Sequence, residues 1–256
     1  MSGIPAVERS LRVLELLASQ RQPLTLSDVA RRTEIPNASC HAILHTLEAN
    51  GYASRTIVGR SHYWQPTLAL YHLGAAMVNR LGITEVAEPH LRALAESVGC
   101  PAHLGVLEGV NVMYIAKVPA PAFIQFNTYP GKVSPFHLTA LGRAIAAFLP
   151  AERQVALLDG LPDRFARILA ETRERGYAIE DGEDVAGVGC LAAPIYDARG
   201  ELRGSVGITG FSDEILGAEG EPAARAVVAA AAAVSAGLGY APRQSDHSPV
   251  AGHLTP

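Results

Sequence analysis

The stretch from Pro23 to Tyr52, PLTLSDVARRTEIPNASCHAILHTLEANGY, constrains the chain more than any other. Leu26, Val29 and Ala30 share one face of a short helix, and Ser27 is placed to begin it. Pro36 disfavours helical geometry in the residue before it, so this helix should stop by Ile35. A second helix starts at once, with Asn37 as its N-cap and Ile43, Leu44 and Leu47 as its buried stripe. Gly51 falls where a helix C-terminus takes a left-handed residue. Two short helices, a turn of a few residues and an amphipathic second helix describe a helix-turn-helix, the second helix being the one that enters a DNA major groove.

The flanks extend the motif. Val7, Leu11, Leu14 and Leu17 recur at helical spacing, which predicts a first helix over Ala6–Ser19 packed across the pair. After Gly51, YASRTIVGRSHYWQP reads as a β-hairpin centred on Val58-Gly59-Arg60, with Arg55 and Arg60 flanking its tip. Three helices and a hairpin make a winged helix-turn-helix over residues 1–66, and the wing arginines are placed to reach phosphates or the minor groove. Leu68, Leu70, Tyr71, Leu73, Met77 and Val78 then give residues 67–81 as a linker helix, apolar around much of its circumference, as in a helix buried against its own copy.

Residues 82–242 read as a second domain. A helix over Thr84–Val98 is followed by two strands, AHLGVLEG and NVMYIAKV, and a third strand over Phe123–Phe126. Helices are expected at Leu138–Leu149, Glu152–Leu158 and Pro162–Arg175, a strand at Tyr177–Ile179, then the strands CLAAPIYD and LRGSVGITG and a last helix at Ala223–Leu238. Helices beside an antiparallel sheet make the fold α+β. The polar, proline-rich end, 243–256, reads as disordered.

Charge is divided between the halves. Residues 1–80 hold eight arginines and no lysine against five acids, an excess of +3, so with −4 overall the remainder carries −7. A basic first part on an acidic body fits a protein in which only the first part touches phosphates. No apolar run reaches the roughly 18–20 residues of a membrane span. The N-terminus lacks the pattern of a secretory signal, and Cys40, Cys100 and Cys190 are too few and too scattered for a disulfide framework. A cytoplasmic location is expected, with no cofactor and no metal centre.

Over residues 4–241 the chain resembles the IclR-type transcriptional regulators. The resemblance rests on AVERSLRVLELL, the Leu24–Tyr52 block and HYWQPTLALYHLG, then on GKVSPFHLTALGRAIAAFL, RERGYAIEDGEDVAGVGCLAAPIYDARGEL and RGSVGITGF. It implies a homodimer or dimer of dimers on a near-palindromic double-stranded operator, with a small-molecule effector in the second domain and repression as the favoured direction. One position departs from the family. Ser39 matches a Ser/Thr of the recognition helix, but the arginine that often follows is Ala42 here. An arginine bidentate to guanine is worth about 1–3 kcal/mol of discrimination. Its absence shifts base reading to Asn37, Ser39, His41 and His45, with Ala38 or Ala42 against a thymine methyl, and predicts a less guanine-dependent half-site.

By the same resemblance, the effector pocket is lined by Ala140, Leu141, Cys190, Gly207 and Thr209, with Glu180 where an acid is common and Phe123 and Phe126 as walls. Unpaired N–H groups at the start of the Leu138–Leu149 helix suit a carboxylate, and His137 or Thr139 adds a hydrogen bond. Two phenylalanines favour an aromatic or otherwise hydrophobic acid. Glu180 repels an anion unless protonated, so a hydroxyl, amide or amine on the effector stays open. Two other readings stand beside the regulator: a cysteine hydrolase built from Cys190, His137 and Asp181 or Glu180, and a DNA-binding protein that senses no ligand. His41 and His45 have helical ligand spacing, but no further ligand lies nearby in sequence.

Overall fold

A computed structural model describes residues 3–120, 126–217 and 220–241, and the chain divides after Arg80 into two compact units. The first runs α1 (Pro5–Ser19), β1 (Leu24–Thr25), α2 (Leu26–Thr33), α3 (Asn37–Ala49), β2 (Ala53–Val58), β3 (Ser61–Pro66) and α4 (Ala69–Arg80). β1, β3 and β2 pair in that order as a small antiparallel sheet, with Arg55 opposite Trp64 and a two-residue turn at Gly59-Arg60. Gly59 takes φ +62°, which suits glycine in so tight a hairpin.

Its core is Val13, Leu17, Leu24, Val29, Ile35, Cys40, Leu44, Leu47 and Trp64. The first helix forms where expected, but its inward face is Val13 and Leu17; Val7 and Leu11 are exposed. Cys40, fully buried, joins Leu44 and Leu47 on the inner face of α3, while Ile43 is only half-buried. In α4 no residue is buried, and Leu68 just before it is 81 % exposed.

The second unit runs α5 (Ile83–Val98), β4 (Ala102–Glu108), β5 (Asn111–Val118), β6 (Val133–Pro135), a 3₁₀ turn (Phe136–Leu138), α6 (Ala140–Ala147), α7 (Ala151–Leu158), α8 (Arg164–Arg175), β7 (Ala178–Asp181), β8 (Val188–Tyr196), β9 (Leu202–Phe211), α9 (Ser212–Ile215) and α10 (Gly220–Gly237). Six strands form one antiparallel sheet in the order β6-β5-β4-β9-β8-β7. Leu104, Leu191, Ile195, Val206 and Ile208 are buried on the face against which α5 and α10 pack. The other face carries α6, all eight of whose residues are buried, with α8 beyond it. This is the α+β architecture the sequence implies.

Three local expectations are corrected. The strand at Phe123–Phe126 lies mostly outside the described residues, Phe126 itself is not in a strand, and the edge strand is β6. The helix expected from Leu138 starts two residues later, because Phe136–Leu138 close a 3₁₀ turn and Thr139 turns extended to cap α6. The expected disordered end, 243–256, lies outside the described residues.

Candidate nucleic-acid interface and ligand pocket

Thr25, not Ser27, caps α2. Its hydroxyl accepts from the Asp28 amide at 3.2 Å and donates to the Asp28 carboxylate at 2.6 Å, the reciprocal pattern of a capping box. Asp28 in turn pairs with Arg31 at 2.6 Å, and these contacts hold its carboxyl below the usual range. Ser27 is left exposed in the first turn of the helix.

Glu34 ends α2 in the left-handed conformation at φ 57°, and buried Ile35 pins the turn. Pro36 is the N-cap of α3, so Asn37 is its first helical residue rather than its cap. That shift frees the Asn37 side chain. With no side-chain cap, the first-turn amides of α3 also stay open, a positive helix end facing outward. Ser27, Ala30, Arg31, Glu34, Ile35, Pro36 and Asn37 line an open groove between the two helices.

Asn37, Ala38, His41 and Ala42 are exposed on α3, while Ser39 and His45 are half-buried. His45 is held on three sides: Nδ1 lies 3.2 Å from Glu48, the His41 ring is 4.3 Å away, and Trp64 meets it edge-on at 5.2 Å. Arg55 belongs to the same cluster. Its Nε lies 3.3 Å from Glu48 and its guanidinium sits 5.6 Å over the Trp64 ring, so it braces the hairpin against α3 rather than flanking the tip. Arg60, in the turn itself, is exposed and has no ion pair or hydrogen bond among the described residues. Arg31 and Trp64 are the residues that the sequence reading left out.

In the second unit, strand register gathers a set of side chains on the face of the sheet that α6 covers. Glu180 pairs across to Cys190 and Cys190 to Thr209; one row along, Ala192 pairs to Gly207 and Gly207 to His103, which faces Lys117. A β-bulge beside Gly105 puts Tyr114 on this face too, where its ring meets His103 edge-on at 5.5 Å. Gly207 is required by close approach, since a Cβ there would stand 2.9 Å from that of Ala192.

Above this row begins α6. The Thr139 hydroxyl accepts from the Gly142 amide at 3.0 Å, and the Leu141 carbonyl accepts from Ser205 Oγ at 2.9 Å. The amides of Ala140 and Leu141, both residues buried, have no partner among the described residues. Gly142 is pressed on the Phe136 backbone, leaving no room for a side chain.

The Cys190 thiol lies 3.3 Å from Thr209 Oγ1. Burial pushes the thiol up to about 12, and neighbouring Glu180 raises it further. Glu180, buried, turns its carboxylate onto the amides of Glu183 at 2.6 Å and Asp184 at 3.2 Å. Burial raises its affinity for protons while those amides oppose the change. The 181–187 loop is fastened further by Arg143 to Glu183 at 2.9 Å and Lys132 to Asp184 at 3.7 Å. Phe126 meets Phe211 edge-on at 5.6 Å; Phe123 lies outside the described residues. His137 is placed elsewhere, its ring against Phe136 and Phe165 at 5.5 and 4.9 Å, and burial lowers its proton affinity, as do Arg143 and Arg164. Among the described residues, no histidine touches Cys190.

Two family descriptions match the chain: "IclR helix-turn-helix domain" over residues 6–56 and "Bacterial transcriptional regulator IclR C-terminal" over residues 75–236. The glycerol operon regulatory protein of Streptomyces coelicolor is 35 % identical over 258 residues, covering 93 % of this chain and 97 % of that protein. The HTH-type transcriptional regulator BhcR of Paracoccus denitrificans is 31 % identical over 254 residues, covering 94 % and 89 %. A crystal structure of an IclR homolog complexed with 4-hydroxybenzoate, from Microbacterium hydrocarbonoxydans, superposes with a TM-score of 0.78 at 23 % identity, covering 91 % of this chain and 98 % of that one.

Proposed function

The chain belongs to the IclR family of bacterial transcriptional regulators, and we propose from that premise that a small organic acid sets its affinity for its operator. DNA is bound by the N-terminal helix-turn-helix. Within it, α3 presents Asn37, Ala38, Ser39, His41 and Ala42 to base edges, with His45 at the margin of that surface. Ser27, Arg31 and the open amides of α3 take phosphates on one side, Arg60 takes them on the other, and Arg55 fixes the wing. With Ala42 in place of an arginine, the half-site depends less on guanine. A binding-site selection that returned an invariant guanine, unaffected by His41→Ala and His45→Ala, would count against this.

The unpaired amides of Ala140 and Leu141, buried over the polar face of the sheet, carry the effector reading. Two donors at a helix N-terminus suit a carboxylate. Thr209, Cys190 and Glu180 offer acceptors toward the other end of the ligand, which suits a hydroxyl or an amine. A relative of the same fold holds 4-hydroxybenzoate, a molecule of this kind. Cys190 acts in this reading as a protonated wall residue, without the activated thiolate that a hydrolase needs, so the protein is a sensor and not an enzyme.

The chain works as a homodimer or dimer of dimers in the cytoplasm, where its DNA lies. Exposed Leu68, Tyr71 and Met77 along α4 are the surface a second copy covers. Repression is the default direction, because it requires only occupancy of a promoter and no contact with polymerase. Fluorescence anisotropy against the protein's own upstream DNA, at several salt concentrations, tests the whole scheme. Selective binding with a steep salt slope, relieved by an organic acid, is expected. Binding no better than to random DNA, or release by no acid, goes against it.

A further inference from the structure

The most anomalous side chain in the second unit is His103. It is 1 % exposed, and neither ring nitrogen has a hydrogen-bond partner. A buried imidazole ordinarily donates from one nitrogen and accepts at the other, and leaving such groups unmet costs free energy that a fold avoids without reason. His103 lies on the face of the sheet beneath the start of α6, between Gly207 on one neighbouring strand and Lys117 on the other. Gly207 has no side chain to fill the space beside the ring. Two residues along β4, Gly105 likewise has none, and Leu141 packs over it.

Lys117 is the second anomaly. It donates to the carbonyls of Phe126 and Thr128 at 3.0 and 2.9 Å and has no carboxylate within ion-pair distance among the described residues. The Thr128 hydroxyl beside it is buried and unpartnered as well. Lys132, by contrast, is balanced by Asp184 and sits over the Tyr114 ring. The acids of the pocket, Glu180 and Asp184, lie toward the β7 edge with Cys190. The pocket is therefore polarised across the sheet, cationic over β4 and β5 and acidic over β7 and β8.

We infer that His103 is a ligand-contacting residue: its imidazole donates to the carboxylate of a small organic monoacid from the sheet side, opposite the amides of Ala140 and Leu141, and Lys117 supplies the compensating charge. This rests on the effector reading above and adds the ligand's orientation. From β4 to β8 is two strand spacings, about 10 Å, which accommodates one ring or a short chain between the acid and a hydroxyl at Thr209 and Cys190.

The test is the melting temperature of the full chain with benzoate, 4-hydroxybenzoate and the corresponding uncharged amides, in the unmodified protein, His103→Leu and Lys117→Gln. The acids raise the melting temperature of the unmodified protein and the amides do not. His103→Leu without ligand melts no lower than the unmodified protein, since carbon replaces an unmet polar ring, and its affinity for the acids falls at least about tenfold. A His103→Leu protein that responds to the acids as before, or amides that match the acids, overturns the assignment. Either result leaves the regulator reading standing, because DNA release by any other compound measures that separately. Should His103→Leu fail to fold, Lys117→Gln decides: a selective tenfold loss for the acids supports the inference, and undiminished affinity overturns it. If none of the acids stabilises the unmodified protein, the aromatic carboxylate is the wrong class and the inference falls.

Discussion

The two units treat their polar side chains in opposite ways. In the helix-turn-helix, exposed charges are largely matched by one another: Arg31 by Asp28, Arg32 by Gln20, Arg55 and His45 by Glu48. In the second unit, groups far from solvent are left unmatched: both nitrogens of His103, the Thr128 hydroxyl and two amides at the start of α6. A surface that must meet a long, rigid polyanion is best held in its working shape beforehand, and internal ion pairs do this at little cost in water. A closed pocket works by difference instead. Its donors are unmet until a ligand arrives, so ligand binding stabilises one arrangement of the unit strongly enough to shift an equilibrium.

The strongest test of the preformed surface is Trp64→Ala. Trp64 is 2 % exposed in the core of the first unit and backs both His45 and Arg55. Its loss should cost about 3–5 kcal/mol in that unit and abolish operator binding, read by circular dichroism melting and anisotropy. Intact DNA affinity in the variant would mean that the recognition surface needs no backing.

A smaller effect probes the unmatched pocket by pH. Burial, with Lys117 and Lys132, brings His103 down from 6.5 to about 3. The unfolded chain therefore takes up a proton near pH 6.5 that the folded one refuses until near pH 3. This contribution to stability is whole above pH 6.5 and is lost as pH falls through that window. His103→Leu should flatten the acid side of the stability profile, and an unchanged profile would mean that the ring is not held neutral by its site.

Next comes the cap. Thr25→Ala removes both halves of the capping box and should lower stability by about 1 kcal/mol, seen as a lower denaturation midpoint with the slope unchanged. The least effect belongs to Arg60→Ala. It should weaken binding evenly across sequences and reduce the salt slope by about one, because a turn arginine without internal partners reaches only phosphate. A change in sequence preference would instead put Arg60 on a base.

The first unit was largely legible in the sequence because proline and helical periodicity act locally. Pro36 set the break, Gly51 the end of α3 and Gly59 the hairpin. The errors there are of phase and of one or two residues. α1 carries two overlapping apolar stripes, and tertiary packing selected Val13 and Leu17 over Val7 and Leu11. The Thr25–Asp28 capping box was readable as T-x-x-D but yielded to the nearer Ser27. The pocket was less legible. His103 sits in an alternating strand where periodicity reads only core, and its lack of partners depends on register with β5 and β9. The late start of α6 follows from the 3₁₀ turn at Phe136, whose only sequence signal is Pro135 before it. That His137 points toward Phe165 on α8 is a tertiary fact that no local pattern encodes.

Trp64 is the chain's only tryptophan, and it lies inside the first unit with a histidine edge and a guanidinium against it. The protein's intrinsic indole emission therefore comes wholly from the DNA-binding half. Docking of α3 onto a duplex, or protonation of His45, alters the immediate surroundings of that one fluorophore. The ligand-binding half is dark at the same wavelength, so any change in emission on adding an acid is light from the far unit, a direct optical readout of the signal passing between the two.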